Sequence, residues 1–202
     1  MQAAGFGTMP DRSRWAGVKQ TAKRIALLGG LAIVGLGLAA CTSLVSRHPV
    51  GNRAVPEPKK PVDLQRYLGR WYEIARYEQS FQKGCEGVTA DYALREDGGI
   101  DVLNRCRKPD GTASEARGRA KVVDKATGAK LKVSFFGPFF GDYWVLDRAE
   151  DYSWSIVGEP SGRYLWLLHR EASPSEAEVT ALIALANELG YDIAMLRRTQ
   201  QP

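Results

Sequence analysis

The chain has 202 residues, 44% hydrophobic and 25% charged, with three cysteines, two histidines and a formal net charge of +5. Five of the 28 basic residues and one of the 23 acidic residues fall in residues 1–40, so the remainder carries only about +1. That balance leaves no single-sign field of the kind that binds nucleic acid, and the length beyond the leader suits one domain.

Arg12, Arg14, Lys19, Lys23 and Arg24 precede an uncharged run, Ile25 to Ala40. The run is shorter than the roughly 20 residues of a membrane span, and small residues lead from it to Cys41. A positive n-region, an apolar h-region and a small-residue cleavage site make residues 1–40 an export signal, with Met9 as an alternative start. The stretch Leu38-Ala39-Ala40-Cys41 resembles the end of a bacterial lipoprotein signal. That resemblance implies that Cys41 is acylated and becomes the first mature residue, so that the chain meets the membrane through a lipid anchor. An uncleaved N-terminal anchor is the alternative. An aspartate after the cysteine often retains such proteins in the inner membrane. Thr42 stands there instead, which implies the outer membrane, with the protein facing the periplasm.

Residues 41–61 are polar, with Pro49, Pro56, Pro58 and Pro61, and read as a tether reaching up to ~60 Å at ~3.1 Å per residue. The barrel domain then occupies residues 62–202. Short alternating runs separated by turn signals predict antiparallel strands. They fall at Arg70–Tyr77, Gly87–Glu96, Ile100–Arg107, Ser114–Asp124, Lys130–Phe135, Gly141–Asp147, Tyr152–Val157 and Tyr164–Arg170. Asp97-Gly98-Gly99, Pro109-Asp110-Gly111, Thr127-Gly128 and Pro160-Ser161-Gly162 supply the turns. The period then changes. Ser173 as N-cap, Pro174 at N1 and Glu176 at N3 predict a capping box. Val179, Leu182, Ile183, Ala186 and Leu189 form one apolar stripe, and Gly190 is the stop. A short ninth strand, Ile193–Arg198, follows. The expected fold is all-β, an eight-stranded antiparallel up-and-down β-barrel with one C-terminal α-helix packed on its wall. A β-sandwich would show the same alternation but does not itself call for the lone late helix.

Gly69-Arg70-Trp71 on the first strand and Arg170 at the end of the eighth resemble two motifs of the lipocalin family; Gly141-Asp142-Tyr143 matches a third in part. The run Lys132 to Phe139 and the leader together resemble the bacterial outer-membrane lipoprotein branch of that family. Gly69, Trp71 and Arg170 then read as fold residues: Trp71 and Arg170 share one barrel end, where the guanidinium covers the indole in a cation–π contact. Cys85 and Cys106 both fall at the opposite, open rim, and export favours a disulfide between them. Free thiols, one of them catalytic, are the rival reading.

Alternation assigns faces. The expected cavity lining is Ala75, Tyr92, Ala116, Gly118, Ala120, Leu131, Val133, Phe135, Tyr164 and Trp166. The small residues of strand four leave volume, and the result is an apolar pocket suited to an acyl chain; a fully packed core has the same pattern. Glu73 is the one acid expected inside, paired with an arginine near the floor or shifted by burial. Phe136, Phe139 and Phe140 fall at the open rim, either buried beneath a turn or facing a bilayer. The family resemblance implies a fatty acid or lysophospholipid ligand. A ligand-free interaction lipoprotein is the alternative, and a homodimer is allowed but not demanded. An enzyme of the isomerase kind is disfavoured, because His48 lies in the tether, His169 points away from the interior, and no Ser/His/Asp set or metal cluster is apparent. No cofactor is expected.

Overall fold

A computed structural model of the protein describes residues 49–202. The expected export signal, the lipidation expected at Cys41 and the expected tether up to residue 48 lie outside the described residues. The strands are β1 Gly69–Tyr77, β2 Glu86–Leu94, β3 Ile100–Arg107, β4 Ala113–Val122, β5 Lys130–Phe136, β6 Phe139–Arg148, β7 Trp154–Gly158 and β8 Leu165–His169. A four-residue helix, α1 Leu64–Tyr67, precedes them; α2 Glu176–Glu188 and a short β9 Leu196–Arg198 follow. Each of the eight strands pairs antiparallel with the next, and β8 pairs back to β1, closing the barrel. The C-terminal part of β1 pairs with β9 where β2 has diverged from it.

The expected turns close the hairpins. Between β2 and β3, Gly98 takes φ +78°, a conformation that glycine adopts without the steric cost a side chain brings. The apolar side chains divide into two clusters. One fills the closed end of the barrel around Trp71, Ile100, Ala120, Leu131 and Val145. The other lies outside the wall, where Leu182 and Ala186 of α2 pack on Ala75, Leu165 and Leu167. The stripe on α2 thus faces the barrel as expected.

Three expectations are corrected. The helix is capped two residues later than Ser173: Glu178 N–H donates to Ser175 Oγ at 3.3 Å and Ser175 N–H donates to Glu178 Oε2 at 2.8 Å. Both serines head an S-x-x-E pattern; the later start frees Glu176 to pair with Arg198 at 2.8 Å. The ninth strand is shortened to its second half by a 3-10 turn over Ile193–Met195. Residues 49–61, expected to be tether, pack on the barrel. Asn52 is buried and its Nδ2 donates to Leu189 O, Lys60 pairs with Asp147 at 2.8 Å, and Pro61 O accepts from Arg148.

Candidate functional site

The barrel is closed at one end. Trp71 is fully buried there, its Nε1 donating to Tyr67 O at 2.8 Å. Arg170 lies 3.7 Å over the Trp71 ring and donates to the carbonyls of Arg66, Leu68 and Arg70. It therefore ties α1 to the start of β1 and seals the floor, as its position at the end of the eighth strand implied. Above the floor the hydroxyls of Tyr67 and Tyr143 lie 2.9 Å apart, and those of Tyr143 and Tyr92 3.0 Å apart. Burial pushes Tyr67 up to about 12 and raises Tyr92 and Tyr143 further. The three phenols therefore stay neutral and form a polar but uncharged base.

Above them opens a cavity of about 770 Å³, within the range of small-molecule sites. Its wall is mainly apolar and aromatic. Tyr92, Ala116, Val133, Phe135, Tyr164 and Trp166, six of the expected lining residues, stand on it. Four do not. Ala120 and Leu131 belong to the packed closed end. Gly118 is filled over by its neighbour on β5, since a Cβ there would lie 2.8 Å from the Phe135 ring. The small residues of β4 therefore leave space at Ala116 but not deeper. Ala75 lies on the outer face, opposite Leu167 and beneath α2. The cause is a bulge between Glu73 and Ala75, where the register against β8 shifts and reverses the alternation. Val88, Ala90, Val102, Asn104, Tyr143 and Leu168 line the cavity too. Val88 and Ala90 share the face of Tyr92 on β2, and Val102 and Asn104 alternate on β3, so strict period-two counting from Tyr92 and its cross-strand partner Val102 finds them.

The bulge brings Arg76 to the inner face beside Glu73. Arg76 Nη1 donates to Glu73 Oε1 at 2.6 Å and to Thr199 Oγ1 at 3.0 Å. Gln82 donates to the other carboxylate oxygen and accepts from Trp166 Nε1 at 3.2 Å. Both charged side chains are almost fully buried. Burial is the largest influence on the Glu73 carboxyl and raises its pKa, against the lowering by Arg76, Thr199 and Gln82. Glu73 thus sits in the cavity wall, level with Leu168 on β8, and not near the floor. His169 faces away from the interior: its Nδ1 accepts from Glu171 N–H, and its Nε2 lies 4.0 Å from Glu178 on α2.

At the open end Cys85 and Cys106 form a disulfide, with Cα atoms 5.4 Å apart. The bridge pins the β1–β2 connection to the end of β3 and removes both thiols from nucleophilic chemistry. Among the described residues no group of His, Cys, Asp and Glu is arranged to hold a metal ion. Phe81, Phe136 and Phe139 are largely exposed at the mouth.

An antiparallel barrel sealed at one end, with an apolar interior open at the other, is a ligand-holding barrel. Residues 62–201 match the lipocalin-like domain family, and the chain belongs to it. It is 44% identical to the outer membrane lipoprotein Blc of Vibrio cholerae, over 81% of this chain and 96% of that protein. It is 39% identical to the outer membrane lipoprotein Blc of Escherichia coli K12, over 85% and 97% respectively. Insecticyanin from the tobacco hornworm Manduca sexta shares the fold at 19% identity, with a TM-score of 0.60 over 76% of this chain and 88% of that one.

Proposed function

We propose that the protein is a lipid-binding lipoprotein of the outer membrane, anchored through Cys41, facing the periplasm, and holding a fatty acid or lysophospholipid in its barrel. The observation that carries this reading is the cavity of about 770 Å³, walled by Val88, Val102, Val133, Phe135, Trp166 and Leu168. Each CH₂ of a chain buried there contributes about 0.8 kcal/mol. The acyl tail runs down toward the tyrosine base, and the head group stays at the mouth, where water remains. The kinship to outer membrane lipoproteins supports the location. Binding, not catalysis, fits a wall whose buried ion pair, Glu73–Arg76, is tied into neighbouring side chains, and whose other paired acid, Asp142, is held by Lys132 at 2.8 Å. Displacement of a fluorescent long-chain fatty acid from the mature protein tests the reading. Saturable one-to-one binding, with competition by lysophospholipid, is expected. A protein that excludes both the probe and the competitor would contradict it.

A further inference from the structure

The tether enters at the mouth. The backbone N–H groups of Gly51 and Asn52 both donate to Gly162 O, at 2.9 and 3.1 Å. Gly162 lies in the turn between β7 and β8. That turn is at the open end, because β8 runs from it down to the floor beside Trp71. The fit is close: a Cβ on Gly162 would lie 1.8 Å from Asn52 O. Residues 52–61 then descend the outer wall to Val62, whose N–H donates to Thr127 O at the closed end. The eight residue steps from Cys41 to Pro49 span at most roughly 30 Å when extended. The stretch that leads back to Cys41 therefore leaves the described barrel at the mouth.

The exposed aromatic side chains are at the same end. Phe81 is 69% exposed, Phe136 81% and Phe139 78%. Phe81 belongs to the β1–β2 connection, and Phe136 and Phe139 pair across the β5–β6 turn. In a closed barrel of eight strands in chain order, those two connections lie opposite each other, so they form two lips across the mouth. The closed-end turns carry Asp97, Lys125 and Asp151, and the exposed apolar side chains there are aliphatic and less exposed, Leu94 at 49% and Val123 at 47%. Single exposed apolar residues are ordinary, but a set gathered around one opening needs a partner. From the first lip an aromatic track leads inward: Phe81 stacks on Tyr164 at 6.3 Å, and Tyr164 on Trp166 at 5.7 Å.

We propose that the mouth rests on the lipid bilayer that holds the anchor, with Phe81, Phe136 and Phe139 entering its acyl boundary, so that lipid passes between leaflet and barrel without crossing water. This orientation rests on the reading of Cys41 as a lipid anchor. Exposed charge around the mouth is mixed, with Lys83 and Lys108 beside Asp110, so apolar contact carries the docking.

The test uses the full lipidated protein in phosphatidylethanolamine–phosphatidylglycerol vesicles, with benzoylphenylalanine replacing either Phe139 or, at the closed end, Lys125. Photocrosslinking to phospholipid is expected at position 139 at least roughly tenfold above position 125, and Phe81→Ser with Phe136→Ser should lower the yield at 139 by roughly tenfold or more. Equal yields at both ends, or crosslinks from 139 only to a second copy of the chain, would overturn the orientation. Protein that does not float with the vesicles would overturn the anchor, and the orientation with it, while leaving binding in the cavity intact. A protein that crosslinks at 139 yet takes up no lipid would overturn the proposed function and uphold the docking.

Discussion

Replacing Arg76 by Met removes the cation beside the buried Glu73; Glu78, a half-buried second partner of Arg76 at 3.1 Å, keeps Arg197 at 3.1 Å. Arg76 is fully buried and Glu73 nearly so, and among the described residues the guanidinium is the carboxylate's only cationic partner at hydrogen-bond distance, 2.6 Å. Thr199 and Gln82 also donate to Glu73 but bring no charge. Removing one partner of such a pair costs about 3–5 kcal/mol, because the remaining charge stays in a low dielectric. In the variant Glu73 loses its largest lowering influence, so its folded pKa, already raised by burial, rises further. A carboxyl raised on folding binds more protons folded than unfolded, so its contribution is fully present below the usual value of about 4.3 and is lost as pH rises through the folded pKa. The variant should therefore be destabilised most at pH 8 and regain part of the loss at pH 5. Removing both charges, Glu73→Leu with Arg76→Met, should restore stability to within about 1–2 kcal/mol. Urea unfolding at the two pH values measures all of this. A loss below about 1 kcal/mol at pH 8, or a double variant as unstable as the single one, would refute the reasoning.

Three further outcomes follow from the geometry. Ala116→Trp should block the cavity and lower affinity for a long-chain probe by roughly a hundredfold, a loss of about 2.7 kcal/mol, with little change in melting temperature, because the side chain at 116 points into open space. Ser175→Ala should cost about 1 kcal/mol in thermal unfolding while Ser173→Ala costs a few tenths, since only Ser175 caps α2. Replacing Cys85 and Cys106 together by Ser should lower stability in urea by roughly 3 kcal/mol, the loop-closure value for a separation of 21 residues, and should speed hydrogen exchange at the mouth more than at the floor.

Much of the fold was legible because its signals are local. Gly98, Gly111, Gly128 and Gly162 each mark a turn that needs positive φ, and all four turns fall where the sequence put them. Trp71, Arg170 and the two cysteines met as expected because strand count alone decides which barrel end a residue occupies. The cavity was legible only in part. A bulge adds one residue to β1 without any compositional mark, so alternation from Trp71 puts Ala75 inside, whereas Ala75 faces out and Arg76 joins Glu73 on the inner face. The depth of packing was equally hidden. Ala120 and Ala116 read alike on β4, but only the first lies level with the residues that fill the floor. The segment 49–61 lacks periodicity because it packs by backbone hydrogen bonds and single side chains such as Asn52 and Lys60, which leave no pattern to read.

Native mass spectrometry of the mature lipoprotein, released from detergent after exposure to a mixed lipid extract, tests the central claim most directly. The account predicts one single-chain lipid per barrel, lost in the Ala116→Trp variant. A barrel that emerges empty from the extract, with wild-type and variant indistinguishable, would contradict it.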